Sequence, residues 1–387
     1  MERLAERLWS WASILDEVTR CQALRTASMP FVFPHVALMP DAHLGKGATV
    51  GSVIPTEGAI IPAAVGVDIG CGMIAVRTQW TRGELRSPLG DLRTAIEHVI
   101  PLSAGHHNKA VHASYTRKRI EDLEATDGIE SARRIKAAWY LELGSLGSGN
   151  HFIEISVDEA NRVWAFLHSG SRGIGNKLAN QHIATAKALG KKENVSLPDP
   201  DLAYLAEGTP EFEQYIRDLR WAQKFALLNR EEMMSRVLDC LGTFMGTPAI
   251  AREVINCHHN YTEREEHFGR QVWLSRKGAI DAHEGVRGLI PGSMGTRSYV
   301  VTGKGDKLAL CSSPHGAGRE YSRSAARKTF SMAELEAAMQ GIEWRRTQAF
   351  LDEIPAAYKP IDTVMADAKD LVSVDHELRQ IINVKGD

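Results

Sequence analysis

The sequence contains little cysteine and no excess of charge of either sign. Its 387 residues include five cysteines, 46 Lys+Arg and 48 Asp+Glu, which give a formal net charge of −2. The cysteines are scattered and never spaced as CxxC, so we expect reduced thiols rather than a disulfide framework. The near-neutral charge excludes a polybasic nucleic-acid-binding tail and an acidic disordered tract.

Long apolar runs are also missing. The longest, from Ala59 to Val67, is interrupted by Pro62, and the first 18 positions, MERLAERLWSWASILDEV, interleave charged with apolar residues. The first pattern is too short to span a membrane, and the second lacks the apolar core of a signal peptide. We therefore expect a soluble, cytoplasmic protein whose residues 1–18 form an amphipathic helix.

Three common nucleotide-binding signatures are absent. There is no GxxxxGK[ST] loop, no GxGxxG that opens a helix, and no KxDG, the lysine motif of ordinary nucleotidyl-transferring ligases. A nucleotide would therefore have to bind this chain in another way.

Strand and helix patterns are mixed along the chain without a regular βαβ repeat. Gly-rich, β-branched sequence and apolar alternation predict strands within 49–78, 151–168, 272–274 and 299–301. Helical spacing predicts helices within 92–100, 129–141, 211–241, 332–342 and 365–382. Because no linker or internal repeat divides the sequence, we expect a single domain, residues 1–387. Its expected class is α+β, with central β-structure surrounded by helices.

Five short segments place His, Cys or Asp beside glycine or other small residues, which let the backbone approach a ligand closely. They are VDIGCGM (67–73), GSLGSGNHFIE (144–154), LHSGSRG (167–173), NCHHNY (256–261) and SSPHGAGR (312–319). Each segment taken alone also has a structural interpretation. The first fits a buried cysteine beside a turn-capping aspartate, the second a hairpin turn, the third a helix cap beside a core histidine, and the fourth a polar loop.

Two of these segments also carry arginines suited to phosphate. Arg172 follows a strand end that feeds a helix, where free amides bind anions. If a helix begins near Gly318, Arg319, Arg323 and Arg327 share one face near its N-terminal end. The same run also fits a solvated charged face.

Together, the segments offer donors for more than one metal ion. Enough N, O and S ligands for two ions come from Asp68, Cys71, His151, His168 and His259. The soft thiol favours zinc, whereas mixed carboxylate and imidazole ligation also accommodates manganese, and the spacing does not choose between them. His315 is left over as a candidate covalent nucleophile.

Eight longer motifs, in order between Met29 and Lys385, resemble those of one family. They are MPDAHLGKG (39–47), GVDIGCGM (66–73), GSGNHFIEI (147–155), LHSGSRGIGN (167–176), CHHNY (257–261), IPGSMGTRSY (290–299), HGAGR (315–319) and EIPAAYK (353–359). The sequence closely resembles the RtcB-type RNA ligases, the GTP-dependent tRNA-splicing and RNA-repair ligases. The resemblance implies their single-domain α+β fold, although residues 82–140 match none of the family motifs.

The resemblance implies roles for individual residues. Asp68, Cys71 and His151 match the ligands of one manganese ion, and Cys71, His168 and His259 those of a second, with the thiolate bridging the pair. His315 matches the histidine that becomes guanylylated. Positions matching guanylate contacts are Asn150, His151, Phe152, Ile153, Glu154, His259, Asn260, Pro291, Gly292, Ser293, Met294, Ser298, His315, Gly316, Ala317, Gly318, Tyr358 and Lys385. Positions matching RNA-phosphate contacts are Arg172, Arg319 and Arg323, and Asp41 matches a further site residue.

The implied activity is the joining of RNA ends with two Mn²⁺ ions and GTP as cofactors. An RNA 3′-phosphate or 2′,3′-cyclic phosphate would join a 5′-hydroxyl through a histidine–GMP intermediate and an RNA-ppG end, in RNA repair or tRNA splicing. Two alternatives stay open. A two-metal phosphoesterase acting on cyclic phosphates would use the same ligands without His315 or Lys385. A non-catalytic RNA-end-binding protein would release no GMP.

Overall fold

The computed structural model describes residues 1–111 and 113–387. The strands are β1 (Glu2–Ala5), β2 (Leu8–Ser10), β3 (Val36–His43), β4 (Val50–Thr56), β5 (Ala59–Ile60), β6 (Gly72–Thr81), β7 (Phe152–Val157), β8 (Arg162–Ser169), β9 (Leu205–Ala206), β10 (Glu253–His258), β11 (Asn260–His267), β12 (Arg270–Lys277), β13 (Ala279–Asp281), β14 (Arg287–Ile290), β15 (Ser298–Gly303), β16 (Ser312–Pro314), β17 (Glu343–Trp344) and β18 (Val372–Lys385). The α-helices are α1 (Glu17–Ala27), α2 (Pro62–Val65), α3 (Leu89–Val99), α4 (Ser114–Glu124), α5 (Ile129–Ile135), α6 (Arg172–Lys192), α7 (Pro210–Met245), α8 (Arg323–Thr329), α9 (Met332–Ala338) and α10 (Ile361–Asp367).

Two large sheets contain most of the strands. A six-stranded sheet has the order β1-β2-β3-β4-β12-β11, and an eight-stranded sheet has the order β10-β6-β8-β7-β18-β15-β14, with β17 beside β18. The central pairs of the larger sheet are antiparallel. Only β2 with β3 and β17 with β18 pair in parallel among the described residues, so helices and strands are mixed without a regular βαβ repeat. This confirms the α+β class predicted from the sequence.

The centre of the eight-stranded sheet, strands β6, β7 and β8, is buried on both faces because these strands are rich in apolar residues. Successive residues of a strand point to opposite faces. Ala75 of β6 therefore packs in a cluster with Leu274 of the six-stranded sheet, while its neighbour Val76 packs in another cluster with Val237 of α7. The larger sheet thus lies between the smaller sheet and a helical layer.

Helix α7 is the longest helix among the described residues. Its N-cap Thr209 accepts a hydrogen bond from the amide of Phe212, Pro210 occupies the first turn, and Gly246 ends the helix with φ +76°. The periodic pattern predicted this helix over 211–241. Its buried face also contains polar residues in the middle of the helix, and these approach the turns at one end of β6 and β8.

Three predicted helices are wrong or misplaced. Residues 1–18 contain β1 and β2, because Leu8 to Ser10 pair with β3 on one side and with the edge strand β1 on the other. In the predicted helix 365–382, α10 ends at Asp367 and β18 begins at Val372, since pairing with β7 and β15 uses the β-branched residues there. The helix expected near Gly318 begins at Arg323, where the Ser322 side chain caps it. Within the described residues, no helix combines the length and apolar character needed to cross a bilayer.

Candidate active site

A cavity of about 310 Å³ lies where the ends of β6, β7 and β8 face the loops that follow β14 and β16. Most residues predicted for the site line its wall. They are Asp68, Asn150, Phe152, Glu154, His168, His259, Asn260, Pro291, Gly292, Ser293, Met294, His315, Gly316, Ala317, Gly318, Arg319, Arg323, Tyr358 and Lys385.

Six predicted residues lie outside this wall: Asp41, Cys71, His151, Ile153, Arg172 and Ser298. Cys71 and His151 lie directly behind it, in contact with His168 or Asp68. The side chain of Ile153 packs instead in the apolar cluster on the opposite face of the sheet, as the alternation of a strand requires. Arg172 begins α6, with its Nη1 atom 3.1 Å from Nδ1 of His151.

Five polar or charged wall residues were not predicted: His43, Lys46, Lys277, Glu353 and Asn383. The first two belong to the motif MPDAHLGKG and Glu353 belongs to EIPAAYK, so these three residues could have been found from their position in the motifs. Lys277 and Asn383 stand in ordinary strand sequence, and only strand pairing brings them to the cavity.

Strand register gathers the candidate metal ligands. His168 of β8 lies opposite Met73 of β6 and opposite Phe152 of β7. Cys71 and His151 immediately precede those two strands, so both reach the same sheet end as His168. His259 follows β10, whose last residue pairs with Gly72 at the start of β6.

The donors form two groups that share one thiol. Asp68, Cys71 and His151 form one group, and Cys71, His168 and His259 form the other. The Cys71 Sγ atom lies 3.4 Å from Nε2 of His151 and 3.2 Å from Nε2 of His168. The Nε2 atoms of His168 and His259 are 2.8 Å apart, and Oδ2 of Asp68 lies 3.2 Å from Nε2 of His151.

Hydrogen bonds on the far side of each imidazole orient it toward the shared thiol. The Nδ1 atoms of His151 and His168 lie 3.0 and 3.1 Å from the carbonyl oxygens of Leu146 and Asn150, and Nδ1 of His259 lies 3.2 Å from Oδ1 of Asn260. In the tautomer that donates from Nδ1 to those oxygens, each Nε2 is unprotonated. Lone pairs then converge with no proton between them, an arrangement that fits a cation.

Burial favours the neutral forms of the three histidines and of the thiol in this cluster. It lowers the pKa of His151, and it lowers the pKa values of His168 and His259 well below the ordinary value. Burial, together with the nearby Asp68 charge, also raises the pKa of the Cys71 thiol well above its ordinary value. A metal ion is the kind of group that reverses the second effect, because coordination deprotonates a thiol.

Glycine at position 170 allows the Asp68 carboxylate to reach this cluster. A Cβ atom at Gly170 would lie 2.2 Å from Oδ1 of Asp68, so any larger residue would displace the carboxylate. The amide of Ser171 donates to the same Oδ1 atom at 2.9 Å. The Gly-rich turn therefore both admits and orients the acidic ligand.

His315 stands beside the cluster and has a carboxylate of its own. Its ring centroid lies 4.5 Å from that of His259. Its Nδ1 atom lies 2.6 Å from Oδ2 of Asp41, which also accepts a hydrogen bond from the His315 amide at 3.2 Å. Asp41 is fully buried on β3. If the ring proton is on Nδ1, beside the Asp41 carboxylate, the Nε2 lone pair of His315 is available as a nucleophile.

Arginines on one side of the cavity are paired with acidic residues. Arg319 donates to Oη of Tyr358 at 2.8 Å and to Oε1 of Glu353 at 3.2 Å, and Arg323 donates to Oε1 of Glu353 at 2.8 Å. Lys385 donates to the second oxygen of Glu353 at 3.0 Å. Burial acts to raise the pKa of Glu353, but Lys385 and Arg323 outweigh it and lower the pKa to about 2. Glu353 is therefore ionised at neutral pH, and these three cations surround its carboxylate.

Pairing of β7 with β18 places Glu154 opposite Asn383 and Phe152 opposite Lys385. Glu154 is 3% exposed. Burial raises its pKa to about 8, although the charge of Lys385 acts in the other direction. This end of the cavity therefore has a carboxyl group whose charge changes near neutral pH.

Comparison with known proteins finds relatives that match this chain over most or all of its length. The family described as "tRNA-splicing ligase RtcB" matches residues 22–386. The RNA-splicing ligase RtcB of Escherichia coli K12 is 45% identical over 400 residues, which cover 100% of this chain and 98% of that protein. The tRNA-splicing ligases RtcB of Nanoarchaeum equitans and Pyrobaculum aerophilum are 30% and 29% identical, over 94% and 98% of this chain and 88% and 94% of their own lengths. These matches define an enzyme of the ligase class. The chain belongs to the RtcB family.

Proposed function

We propose that this protein is a GTP- and Mn²⁺-dependent RNA ligase that joins an RNA 3′-phosphate or 2′,3′-cyclic-phosphate end to a 5′-hydroxyl end, in RNA repair or tRNA splicing. The observation that carries the proposal is the position of His315. Its ring lies between a buried carboxylate, Asp41, and a double set of metal donors. A phosphoesterase would need the donors but would have no use for this histidine.

The donor chemistry fits two manganese ions. Asp68, Cys71 and His151 would hold one ion, and Cys71, His168 and His259 the other. Carboxylate and imidazole donors suit manganese, while the single thiol also accommodates zinc. When bound, the ions would supply positive charge next to the phosphates of the substrates.

In the first proposed step, Nε2 of His315 attacks the α-phosphorus of GTP. A nitrogen–phosphorus bond forms, the bond from the α-phosphorus to the bridging oxygen breaks, and pyrophosphate leaves. The negative charge of Asp41 keeps Nδ1 of His315 protonated and stabilises the positive charge that develops on the ring. Because Oδ2 of Asp41 contacts both Nδ1 of the ring and the backbone amide of His315, the nucleophile is oriented before GTP binds.

The second and third steps transfer the guanylate and join the ends. An oxygen of the RNA 3′-phosphate attacks the GMP phosphorus, the bond to His315 breaks, and RNA-ppG forms. The 5′-hydroxyl oxygen of the other strand then attacks the RNA 3′-phosphorus, loses its proton, and displaces GMP. A cyclic phosphate is first opened to a 3′-phosphate by water. Arg319 and Arg323 are suited to holding the RNA phosphates, since guanidinium binds phosphate in two-point fashion.

We propose that Glu154 and Lys385 select guanine. Guanine offers N–H donors at N1 and N2 and an acceptor at O6, which match a carboxylate and an ammonium group respectively. The two residues lie on adjacent strands at one end of the cavity, and Tyr358 lines its wall. We further propose that residues 1–387 act as one catalytic domain, because the wall draws on segments from His43 to Lys385.

The deciding experiment is incubation with GTP labelled at the α-phosphate and Mn²⁺. We expect an acid-labile, alkali-stable label on the wild-type protein and none on His315→Ala. His98→Ala, an exposed histidine on α3, is the control and should be labelled fully. A wild-type protein without label that still opens cyclic phosphates would favour the phosphoesterase, and one that binds RNA ends without releasing GMP would favour a binding protein.

A further inference from the structure

Two consecutive polar residues in the middle of α7, Asn229 and Arg230, are completely buried. They belong to none of the motifs described above, and neither lines the cavity. Their hydrogen bonds leave the helix and end on the turns that carry the candidate metal ligands. A buried guanidinium is costly unless its donors are satisfied, so its partners account for its presence.

Arg230 connects three ligand-bearing segments. Its Nη1 atom donates to the carbonyl oxygen of Gly70 at 2.8 Å and to that of Ser169 at 3.2 Å. Gly70 precedes the ligand Cys71, and Ser169 follows the ligand His168. Its Nε atom donates to Oδ1 of Asn256 at 2.8 Å, in the segment that leads to His259.

Asn229 extends the same support to the fourth segment. Its Oδ1 atom accepts from the amide of Gly144 at 2.7 Å, and its Nδ2 atom donates to the carbonyl oxygens of Ser145 at 3.2 Å and Gly170 at 3.1 Å. Nδ2 also reaches Oγ of Ser169 at 3.3 Å. That hydroxyl donates to the carbonyl oxygen of Leu146, which is the acceptor for Nδ1 of His151.

We propose that Asn229 and Arg230 are positioning residues that fix the relative placement of the four metal-binding segments and thereby set the affinity and geometry of both metal sites. The proposal rests on the metal-binding part of the proposed function. The planar guanidinium group of an arginine has five N–H donors and can hold several carbonyl groups at fixed angles. The ammonium group of a lysine, on its flexible side chain, cannot reproduce this geometry. The pair would act on the metals through backbone carbonyls rather than by touching the substrates.

The test is titration of the metal-free full-length protein with Co²⁺, whose visible absorption reports thiolate and imidazole coordination. Arg230→Lys and Asn229→Asp are compared with Asp218→Asn. Asp218 is an equally buried polar residue on α7, and its partner His182 lies on α6, away from the ligands. We expect about 10- to 100-fold weaker Co²⁺ binding and an altered spectrum in the first two variants, since this is the usual effect of removing support from metal ligands. The control should keep the wild-type spectrum.

Melting temperatures and the Mn²⁺ dependence of guanylylation complete the test. We expect Arg230→Lys to raise the Mn²⁺ concentration for half-maximal rate while its melting temperature falls no further than that of the control. Wild-type Co²⁺ affinity and spectrum in either Arg230→Lys or Asn229→Asp would overturn the proposal, and Asn229→Asp decides the matter if the arginine variant does not fold. Failure of the wild-type protein to bind Co²⁺ through a thiolate would instead overturn the proposed metal sites.

Discussion

The buried carboxylate of Asp41 lies 2.6 Å from Nδ1 of His315, although the two residues come from different parts of the fold, β3 and the loop after β16. Lys359 supports this pair from behind, by donating to the carbonyl oxygens of Pro40 at 3.2 Å and Ala42 at 2.6 Å. Gly318 permits the approach, since it has φ +74° and a Cβ atom there would lie 2.3 Å from the carbonyl oxygen of Asp41. The side chain of Asp41 on β3 therefore holds His315 from one side, and the β3 backbone packs against Gly318 in the same loop.

Replacement of Asp41 by asparagine should slow guanylylation of His315 by about 100-fold or more, because the amide no longer stabilises charge on the ring or fixes its tautomer. Rapid-quench labelling with α-labelled GTP measures the rate, and metal content should stay at the wild-type level. Asp375→Asn is the matched control, since Asp375 pairs with Arg287 away from the cavity. An unchanged labelling rate in Asp41→Asn would show that Asp41 does not assist guanylylation of His315.

Cys71→Ala should lose both bound metal ions, because the thiol belongs to both donor groups. Asp68→Ala removes a donor from one group and should retain one ion. Metal analysis of the purified, Mn²⁺-loaded proteins measures both results, with Cys257→Ala as the control thiol in a neighbouring strand. Full metal content in Cys71→Ala would contradict a shared thiolate.

Arg319→Ala should slow RNA joining more than guanylylation of His315. Arg319 lies between Tyr358 and Glu353 at the cavity wall, where an RNA phosphate can replace the carboxylate as its partner. Single-turnover rates for the two steps provide the comparison, and Arg327→Ala, which removes a contact to Asp352 outside the cavity wall, is the control. Equal slowing of both steps would indicate that Arg319 contacts GTP rather than an RNA phosphate.

GTP binding should strengthen as the pH rises from 7 to 9. Burial raises the pKa of Glu154 to about 8, and its carboxylate form is the one that accepts hydrogen bonds from guanine. Glu154→Gln should bind GTP with little pH dependence and should discriminate less against ATP. Calorimetry with a GTP analogue that has a non-hydrolysable α–β bridge measures both, with the exposed Glu377→Gln as control. The same pH profile in wild type and Glu154→Gln would exclude this carboxyl group as the cause.

Glu265 should stabilise the fold in a pH-dependent manner. Burial acts to raise its pKa, but His267 and Arg276 outweigh it and lower the pKa to about 2. Because the folded-state pKa lies below the unfolded one, the contribution is complete above pH 4.5 and disappears as the pH falls toward 2. A shift of this size corresponds to about 3 kcal/mol. The melting temperatures of wild type and Glu265→Gln should differ most at pH 7 and converge at low pH; parallel curves would contradict the assignment.

Short motifs predicted which side chains lie close together more successfully than periodicity predicted the N-terminal strands and β18. Asp68, Cys71, His151, His168 and His259 meet at one end of a sheet, as their flanking glycines and strand ends suggested. The pattern over 365–382 was mistaken for a helix because its apolar residues fit both periods, and only pairing with β7 and β15 distinguishes them.

Residues whose role depends on long-range packing gave no sequence signal. Arg230 and Asn229 occupy ordinary helical positions, and Lys277 and Asn383 occupy ordinary strand positions. Their significance follows from partners far away in the chain. Motif spacing identifies functional residues that lie within one segment of the sequence. Residues that contact several distant segments can be recognised only in the folded structure.

Strand β18 carries Lys385 into the cavity and pairs with β7, which lies more than half the chain earlier. Contacts between such distant segments require the closure of a long loop, so they form slowly compared with local structure. Until β18 has joined the sheet, Glu353 lacks its contact with Lys385, and Glu154 lacks the strand that brings Lys385 to the same end of the cavity. A half-folded molecule therefore lacks the corner that would distinguish GTP from ATP, and nucleotide selectivity should be among the last properties acquired during refolding.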